Sequence, residues 1–400
     1  MKTKKKWVKA YHSVIRNTAE KIIGPYCRLR YKVTIEKFKP DKKQPYLILM
    51  NHQTAFDQFF VGMAFKGPVY YVASEDLFSL GFISKLLSFL VAPIPIKKQT
   101  TDLNAIKTCV RVSKEGGTIA LFPEGNRTYH GKTLYFKPSI VKLVRLLKLP
   151  VVIFKVEGGF GVHPRWSDVV RNGKMKVSLA AVIQPEEYTS LSDDDLYRTL
   201  CDYLYVDENL SLENFYHKKS AERIERFLYV CPHCGLTDFQ SKNNLFWCKK
   251  CENKIQYLPN KRLTDTTGKN SSMFTDLGQW YDYQCNFIRN LDLSSYEKMP
   301  IDRYEAKIFK VILYKKKELL FSHGLLSLYG DRITINDITL SFDEISAVTV
   351  LGKNKVNIYY KDLVYQIKAD SSFNGLKYVN IYHHYRNNKR GNNDEQFLGL

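Results

Sequence analysis

The sequence predicts an α/β domain, followed by a small cysteine-bearing module and a β-rich domain. Three observations support this order. Apolar strand-like runs alternate with helical patterns up to about residue 207, as in largely parallel sheets covered by helices. Two CxxC pairs follow within 228–260. Short strand-like runs and turns then fill 305–370, and a helical pattern follows them.

Composition and charge narrow the class of protein. The 400 residues suggest about two to four domains, and 44% hydrophobic and 25% charged residues exclude wholesale disorder and a fibre. The net charge is +21, and residues 1–100 hold 18 basic against 6 acidic side chains. Such a segment indicates an anionic partner, which is a phosphate ligand, a membrane surface or nucleic acid.

Residues 1–27 are predicted to be a basic amphipathic helix at a membrane interface, ending at Gly24-Pro25. A helix docked on its own domain with a solvated basic face explains the pattern equally well. The segment has no uninterrupted apolar core, so it is not expected to be a secretory signal. The most apolar later run, Leu77–Ile96, contains Lys85, a glycine and two prolines, and we expect no membrane span.

The α/β domain is predicted over 28–225. Its strands are expected at 46–50, 69–73, 118–122, 151–156 and 175–183, with helices from Thr54 and over 105–115 and 193–207. Four single cysteines, at positions 27, 109, 201 and 285, are expected to be reduced core residues.

The module over 226–260 is predicted to be a zinc ribbon. Cys231 and Cys234 form one CxxC pair, Cys248 and Cys251 form the other, and four thiolates in two such pairs are typical of a structural Zn(II) site with no open position. A redox-active dithiol is the alternative. His233, inside the first pair, is expected to be a bystander.

Residues 261–300 are predicted to be a linker and a helix over 276–291, and 389–400 a polar tail. Between them, 301–388 reads as a small β-rich domain of pleckstrin-homology-like type, with a helix over 372–386 at its end. Its strands are expected at 307–314, 325–328, 332–335, 338–342, 347–351, 355–360 and 363–368.

The segment NHQTAFD, residues 51–57, joins a predicted strand to a helix. With Thr54 as the N-cap and Asp57 at the third helical position, the turn can fold His52 back toward the carboxylate. A carboxylate on one ring nitrogen fixes the tautomer, so the other nitrogen can take a proton. The structural alternative is a capping acid beside an ordinary loop histidine.

A second motif, FPEGNRT over residues 122–128, follows the third predicted strand. Gly125 allows backbone N–H groups to approach an anion, and Arg127 is a forked donor suited to phosphate. The alternative is a turn with a surface arginine.

Together the two motifs resemble those of the 1-acyl-sn-glycerol-3-phosphate acyltransferases of the glycerolipid acyltransferase superfamily. That pattern is Asn-His, four residues, Asp, and later Phe-Pro-Glu-Gly-x-Arg-Ser/Thr. Two weaker blocks, APIPIKK at 92–98 and LPVVIFKVEGG at 149–159, fit in order, so the resemblance covers roughly 30–210. Ala92 and Lys98 stand where the family has glycine and arginine, Pro93 and Pro95 are atypical, and Ile153 and Phe154 replace the usual second proline of the final block. These departures put the substrate in question more than the reaction.

The resemblance implies a glycerolipid acyltransferase-type α/β domain and an enzyme that makes phosphatidate by acylating a lysophosphatidate-like acceptor from acyl-CoA or acyl carrier protein. His52 would be the general base and Asp57 its partner, and no cofactor would be required. The implied substrate-binding residues are Asn51, Lys98, Glu124, Gly125, Asn126 and Arg127.

Both substrates carry phosphates and apolar chains, so we expect a cytoplasmic protein that lies peripherally on the anionic inner face of the cell membrane. Nucleic acid is the weaker explanation of the charge, because residues 201–300, which hold the ribbon, contain 13 basic and 13 acidic side chains. The alternative function is a non-catalytic, membrane-associated zinc-ribbon interaction protein with a degenerate acyltransferase domain.

Overall fold

The computed structural model describes residues 6–40, 44–79, 81–96, 102–266, 273–312 and 315–390. The α/β domain is built on a seven-stranded sheet in the order β1-β7-β6-β2-β5-β3-β4. Its strands are β1 Val33–Ile35, β2 Leu47–Met50, β3 Val69–Ser74, β4 Ile94–Ile96, β5 Thr118–Leu121, β6 Val151–Glu157 and β7 Met175–Ile183. Strands β2 to β6 are parallel to one another, β7 is antiparallel to β6, and β1 is parallel to β7.

Helices cover both faces of this sheet. They are α1 Tyr11–Tyr31, α2 Asp57–Ala64, α3 Phe82–Val91, α4 Leu103–Lys114, α5 Ser139–Leu147, α6 Gly159–Val162, α7 Pro185–Thr189 and α8 Asp193–Leu204. Alternate residues of β2 point to opposite faces: Ile48 and Met50 share a core with α1 and α2, whereas Leu47 and Leu49 pack with α4, α5 and α8. The predicted α/β architecture is therefore present, with helices on each side of a mainly parallel sheet.

The first helix differs from its prediction. It begins at Tyr11, not at the N-terminus, and continues through Gly24-Pro25 to Tyr31. Proline normally ends a helix because it lacks an N–H and its ring meets the preceding turn. Here Cys27 and Tyr31 are buried in the same core as α2, so tertiary packing of the last turns outweighs the local signal.

The cysteine-bearing module consists of a two-stranded hairpin and a four-stranded antiparallel sheet in the order β10-β11-β12-β13. The strands are β8 Val230–Cys231, β9 Gly235–Leu236, β10 Phe239–Lys242, β11 Leu245–Cys248, β12 Lys254–Tyr257 and β13 Leu263–Asp265. The predicted linker from 261 is thus partly wrong, because β13 pairs with β12 and extends the module's sheet. The predicted helix follows as α9, Leu277–Arg289.

The β-rich domain contains seven strands and a closing helix, as predicted. They are β14 Asp302–Lys310, β15 Glu318–Leu328, β16 Arg332–Ile335, β17 Ile338–Ser341, β18 Ile345–Leu351, β19 Lys355–Tyr360, β20 Leu363–Lys368 and α10 Gly375–Arg390. Several boundaries differ, and β14 begins five residues before its predicted start. β15 begins seven residues before its predicted start, and α10 includes the first two residues of the predicted tail; 391–400 lie outside the described residues.

The three predicted units share a hydrophobic core. One buried cluster includes Tyr129 and Trp166 of the α/β domain, Cys231 and Cys248 of the module, and Trp280 of α9, together with the inner side chains of the β-rich domain. Burial of this common core couples the stability of the units to one another. Within the described residues, none of the helices combines the length and the apolar character that crossing a bilayer requires.

Candidate active site

The two motifs meet because they follow neighbouring parallel strands. NHQTAFD begins directly after β2, FPEGNRT begins directly after β5, and β2 pairs with β5. In open α/β sheets the carboxyl ends of the strands form the usual ligand-binding edge. Two segments separated by about 70 residues in sequence are thereby placed at one edge of the sheet.

His52 and Asp57 form a hydrogen-bonded pair. The His52 Nδ1 lies 2.7 Å from Asp57 Oδ2, and the carboxylate is fully buried. It also accepts hydrogen bonds from the backbone N–H groups of Gln53 and Thr54, at 2.7 and 2.9 Å, and from the Thr54 hydroxyl at 2.6 Å. Four donors therefore fix this carboxylate. Because an ionised carboxylate can only accept hydrogen bonds, the His52 nitrogen that faces it, Nδ1, carries the proton.

The predicted N-cap of the helix that carries Asp57 is wrong. Helix α2 begins at Asp57 itself, and Phe56, not Thr54, is its N-cap. Thr54 lies before the helix, where its hydroxyl accepts a hydrogen bond from the Phe56 N–H at 3.1 Å and donates one to Asp57. The chain turns back because Asp57 accepts hydrogen bonds from the residues that precede it.

The His52 ring is partly accessible and neutral. It stacks on Phe122, with ring centroids 4.4 Å apart, and 18% of its side chain is exposed. Burial lowers the pKa of His52, the Asp57 hydrogen bond and charge oppose that effect, and the positive charges of Arg127 and Arg165 add to it. A neutral imidazole with Nδ1 bonded to Asp57 leaves Nε2 as the basic nitrogen.

Glu124 fixes the backbone of His52 by a hydrogen bond. One carboxylate oxygen accepts the His52 N–H at 2.6 Å and the other accepts the Leu134 N–H at 2.6 Å, while the Thr128 N–H donates to the His52 carbonyl at 3.0 Å. Glu124 is only 3% exposed, and burial raises its pKa to about 8. The predicted role as a substrate ligand is therefore corrected: Glu124 is a positioning residue whose oxygens are used inside the protein.

Asn51 requires the same correction. Its amide oxygen accepts the Val156 N–H at 2.7 Å and its amide nitrogen donates to the Val156 carbonyl at 2.9 Å. This side chain continues the pairing of β2 with β6 by one step, and both ends of its amide are bonded to the backbone of β6. It fixes the start of the motif and does not line the site.

Gly159, which lies just after β6, allows the backbone to pack closely against the first catalytic motif. A Cβ at Gly159 would lie 2.7 Å from the Gln53 Oε1 and 2.9 Å from the Thr54 methyl carbon, so only glycine allows this approach. Gln53 accepts the Phe160 N–H at 3.0 Å and donates to Glu208 at 3.1 Å. Gln53 and Glu208 were not predicted as site residues, and Glu208 has no local sequence signal because it lies far along the chain.

The remaining motif residues surround a tight turn. The Gly125 N–H donates to the Phe122 carbonyl at 2.9 Å, and its φ of +67° is a conformation that favours glycine. Asn126 is buried. The Arg127 Nη1 is buried and has no hydrogen-bond partner among the described residues.

Arg127 keeps its charge in this setting. Burial, and after it the charge of Arg165, lower the pKa of Arg127 to about 10. A cationic guanidinium with an unused donor can bind an anion such as phosphate. Lys98, the other predicted cation, lies outside the described residues. Ala92, which replaces the family's glycine, adopts a φ of +40° at the end of α3, at a cost of roughly 1 kcal/mol.

The four cysteines of the module form a second site. The Sγ atoms of Cys231, Cys234, Cys248 and Cys251 all lie within 4.8 Å of one another, and His233 is not among them. Two of the S–S separations are 3.7 and 3.9 Å. Zn–S bonds of about 2.3 Å in a tetrahedron require S–S separations of about 3.8 Å, so the residues fit a tetrahedral zinc ion. The Lys250 N–H donates to the Cys248 sulfur at 3.3 Å, as metal-bound thiolates commonly require.

The single cysteines are placed as predicted, with one difference. Cys27, Cys109 and Cys285 are buried and Cys201 is half-buried. Burial raises the pKa of Cys27 to about 11, of Cys109 and Cys285 to about 12, and also that of Cys201. These thiols are protonated at neutral pH and are poor nucleophiles.

Comparison with known proteins assigns the class of the first domain. Residues 30–155 match the family model described as "Acyltransferase". This range contains the His52–Asp57 pair and the whole second motif, so the chain carries an acyltransferase domain of α/β type.

Named relatives are 1-acyl-sn-glycerol-3-phosphate acyltransferases. The chloroplastic BAT2 protein of Brassica napus is 24% identical over 193 residues, which cover 46% of this chain and 54% of the relative. The Bacillus subtilis protein is 25% identical over 123 residues, or 31% of this chain and 58% of the relative. This chain spans about half the length of the curated relatives it matches.

A solved structure is also similar. It is the crystal structure of the 1-acyl-sn-glycerophosphate (LPA) acyltransferase PlsC from Thermotoga maritima, at 18% identity and a TM-score of 0.41, covering 48% of this chain and 76% of that chain.

Proposed function

We propose that this protein transfers an acyl group from an acyl thioester, acyl-CoA or acyl carrier protein, to the free hydroxyl of a lysophosphatidate-like acceptor, making phosphatidate for phospholipid biosynthesis. The observation that carries the proposal is the His52–Asp57 pair, with its 2.7 Å hydrogen bond, inside a segment that matches an acyltransferase family.

The proposed chemistry uses the free nitrogen of His52. Nε2 takes the proton of the acceptor hydroxyl while the hydroxyl oxygen forms a bond to the thioester carbonyl carbon. The resulting tetrahedral intermediate breaks its C–S bond, and the proton on Nε2 passes to the departing thiolate. Asp57 stabilises the transient imidazolium and keeps its orientation. The acyl group passes directly to the acceptor, so no cysteine acts as a nucleophile.

Arg127 is proposed to bind the acceptor phosphate, and its replacement by alanine tests this role. A hydrogen bond to a charged group contributes about 1.5–3 kcal/mol, so we expect KM for lysophosphatidate to rise about 10- to 100-fold in Arg127→Ala, with a smaller change in kcat. Steady-state kinetics with several lysolipids and a neutral monoacylglycerol measure this. Arg198, which is exposed on α8, gives the matched control Arg198→Ala. An unchanged KM in the Arg127 variant would remove it from the phosphate site.

We infer that the protein lies peripherally on the anionic cytoplasmic face of the cell membrane. Helix α3 exposes a row of large apolar side chains, with Phe82 at 78% and Phe89 at 56% exposure. Tyr11 of α1 stacks on Phe89 at 5.1 Å, so the two helices adjoin. Helix α1 adds exposed apolar and basic side chains: Ile22, Leu29, Lys21 and Arg28. Apolar anchors beside cationic groups are the features of a bilayer-surface site.

Replacing Phe82 and Ile83 by serine tests this membrane face. Both side chains are more than half exposed, so the fold should persist, while vesicle affinity should fall at least about tenfold, because each anchor contributes roughly 1.5–3 kcal/mol when buried. Sedimentation with phosphatidylglycerol vesicles measures the loss. The control is Leu146→Ser with Leu210→Ser, two exposed apolar residues on other elements. Equal binding by both double variants would contradict the assignment.

The four-cysteine site is proposed to hold one structural Zn(II) ion. Cys231, Cys234, Cys248 and Cys251 would supply all four ligands, which leaves no position for substrate. The ion would crosslink the module and would take no part in acyl transfer.

A further inference from the structure

The loop that follows α6 joins the acyltransferase domain to the rest of the protein. His163, Pro164, Arg165, Trp166 and Ser167 are all buried. The Trp166 ring packs against Tyr257 of the cysteine-bearing module, at 5.9 Å between centroids. Because all five residues are buried where the domains meet, this loop is part of the domain interface and not a solvent-exposed linker.

Arg165 connects the catalytic motif to the β-rich domain. It is 2% exposed, and its guanidinium donates to the Arg127 carbonyl at 3.2 Å and to the Val350 carbonyl at 3.0 Å. The Gly352 carbonyl is 3.4 Å from Nε. The guanidinium also lies over the Tyr129 ring at 4.6 Å. The β18–β19 hairpin therefore supplies carbonyls that fix a cation directly against the phosphate-binding motif.

A second contact holds the same hairpin in place. Lys353 donates to Asp168 at 2.9 Å, and Arg226, at the start of the cysteine-bearing module, binds both oxygens of Asp168 at 2.8 and 3.0 Å. These charges pull the pKa of Asp168 well below its usual range, against the effect of its partial burial. The Asp168 carboxylate thus links the acyltransferase domain to the cysteine-bearing module and to the β-rich domain.

His163 lies two residues before Arg165 in this buried loop and has unused hydrogen-bonding groups. It is 9% exposed, and neither ring nitrogen has a partner among the described residues. The Arg127 Nη1 is equally unpartnered within that part of the chain. Burial lowers the pKa of His163 to about 3, and positive charges on Lys353, Arg127, Arg171 and Arg30 add to the effect. A buried polar group without a partner costs about 1–3 kcal/mol, and in cationic surroundings a bound anion would satisfy it.

We propose that His163 binds the phosphate group of the acceptor together with Arg127, and that the β-rich domain completes this site by holding Arg165 through its β18–β19 hairpin. His163 would donate a ring N–H to a phosphate oxygen. This inference rests on the proposed function, and it assigns the β-rich domain a part in acceptor selection. Arg165 is a positioning residue that acts through the Arg127 loop.

His163→Phe tests the binding role because it removes both ring nitrogens and keeps an aromatic ring. We expect KM for lysophosphatidate to rise about 10- to 100-fold, with kcat and the KM of the acyl donor within about twofold. The melting temperature should not fall, because two unpartnered nitrogens leave the interior. His163→Gln, which keeps a donor, should restore most of the affinity. His323, exposed on β15, gives the control His323→Phe.

Arg165→Lys tests the positioning role. Lysine keeps the charge but cannot reach three carbonyls at once. We expect a higher KM for lysophosphatidate with no matching change for a neutral monoacylglycerol. Equal losses for both acceptors would show that Arg165 only holds the domains together, and would overturn this part.

Titration calorimetry with 1-hexanoyl lysophosphatidate, without acyl donor, separates this inference from the proposed function. Wild-type protein that binds and acylates lysophosphatidate while His163→Phe binds equally well would overturn the inference alone. A lower melting temperature in that variant, with kcat and KM impaired together, would also overturn it. Wild-type protein that neither binds nor acylates the lysolipid would overturn both.

Discussion

Replacing His52 by alanine should lower kcat for thioester-dependent acylation by about 10²- to 10⁴-fold, the usual contribution of a general base. The ring is partly exposed, donates to Asp57 and stacks on Phe122 at the surface of the site, so its removal should leave the fold intact. Asp57→Asn should lower kcat by a similar factor, since an amide cannot accept from four donors. Because burial lowers the pKa of His52, kcat/KM of the wild-type protein should rise with pH only below about 6.5 and be constant near neutrality.

The matched control for His52→Ala is His323→Ala, on the exposed face of the β-rich domain. Stopped-time assays with radiolabelled acyl donor cover the required range, and circular dichroism and metal content check the fold. Undiminished turnover in a His52→Ala preparation would remove the assigned base. Loss of activity with an altered melting temperature would indicate a structural effect of the alanine. His52→Gln distinguishes the two cases, because glutamine is similar in size but has no basic nitrogen. We expect this variant to be stable and inactive.

Replacing Cys251 by serine should abolish tight zinc binding and destabilise the C-terminal half of the protein. Cys251 is exposed and lies outside the shared core, unlike Cys231 and Cys248, so the substitution changes the ligand set without creating a cavity. Loss of a structural metal is among the largest single effects on stability, and we expect a fall of more than about 4 kcal/mol in the free energy of unfolding. Trp280, packed on Phe239 and Phe246, reports the transition by its fluorescence.

Cys201→Ser, at a half-buried single cysteine, is the control for this prediction. Elemental analysis after anaerobic purification should give about one zinc per chain for the wild-type and control proteins and almost none for Cys251→Ser. Wild-type protein without zinc, or a Cys251 variant of unchanged metal content and stability, would contradict the zinc proposal. A redox-active dithiol would instead show reversible formation of a disulfide within the cluster.

Local signals in the sequence predicted the parts of the site that depend on neighbouring residues. His52 and Asp57 are five positions apart, and a strand before them and a helix after them are enough to bring the ring and the carboxylate together. Even so, the cap was misassigned, because Thr54 bonds to Asp57 before the helix begins. The strands of the β-rich domain were visible for the same reason, since alternation and turns are local properties.

Long-range partners explain what the sequence did not reveal. Asn51 and Glu124 look like ligands in their motifs, but their partners, Val156 and the His52 N–H, are known only once the strands are paired. Helix α5 is an exception, because the periodic spacing of Ile140, Val144 and Leu147 is a local signal that the predicted elements omit. The shared core could not be foreseen, because Trp166 and the cysteine-bearing module meet only through tertiary packing. Helix α1 likewise continues beyond Pro25, a local signal for the end of a helix, because its last turns are buried in the core.

The measurement that tests the central claim most directly is the stoichiometry of the reaction itself. Purified protein in mixed micelles would receive lysophosphatidate and acyl-CoA or acyl carrier protein thioester, with thiol release followed by a chromogenic reagent and phosphatidate by mass spectrometry. Direct acyl transfer predicts one thiol and one phosphatidate per turnover, with thiol release dependent on the acceptor and absent in His52→Ala. Failure of every donor to yield phosphatidate, or thiol release that continues without acceptor, would contradict the account and favour a non-catalytic or hydrolytic protein.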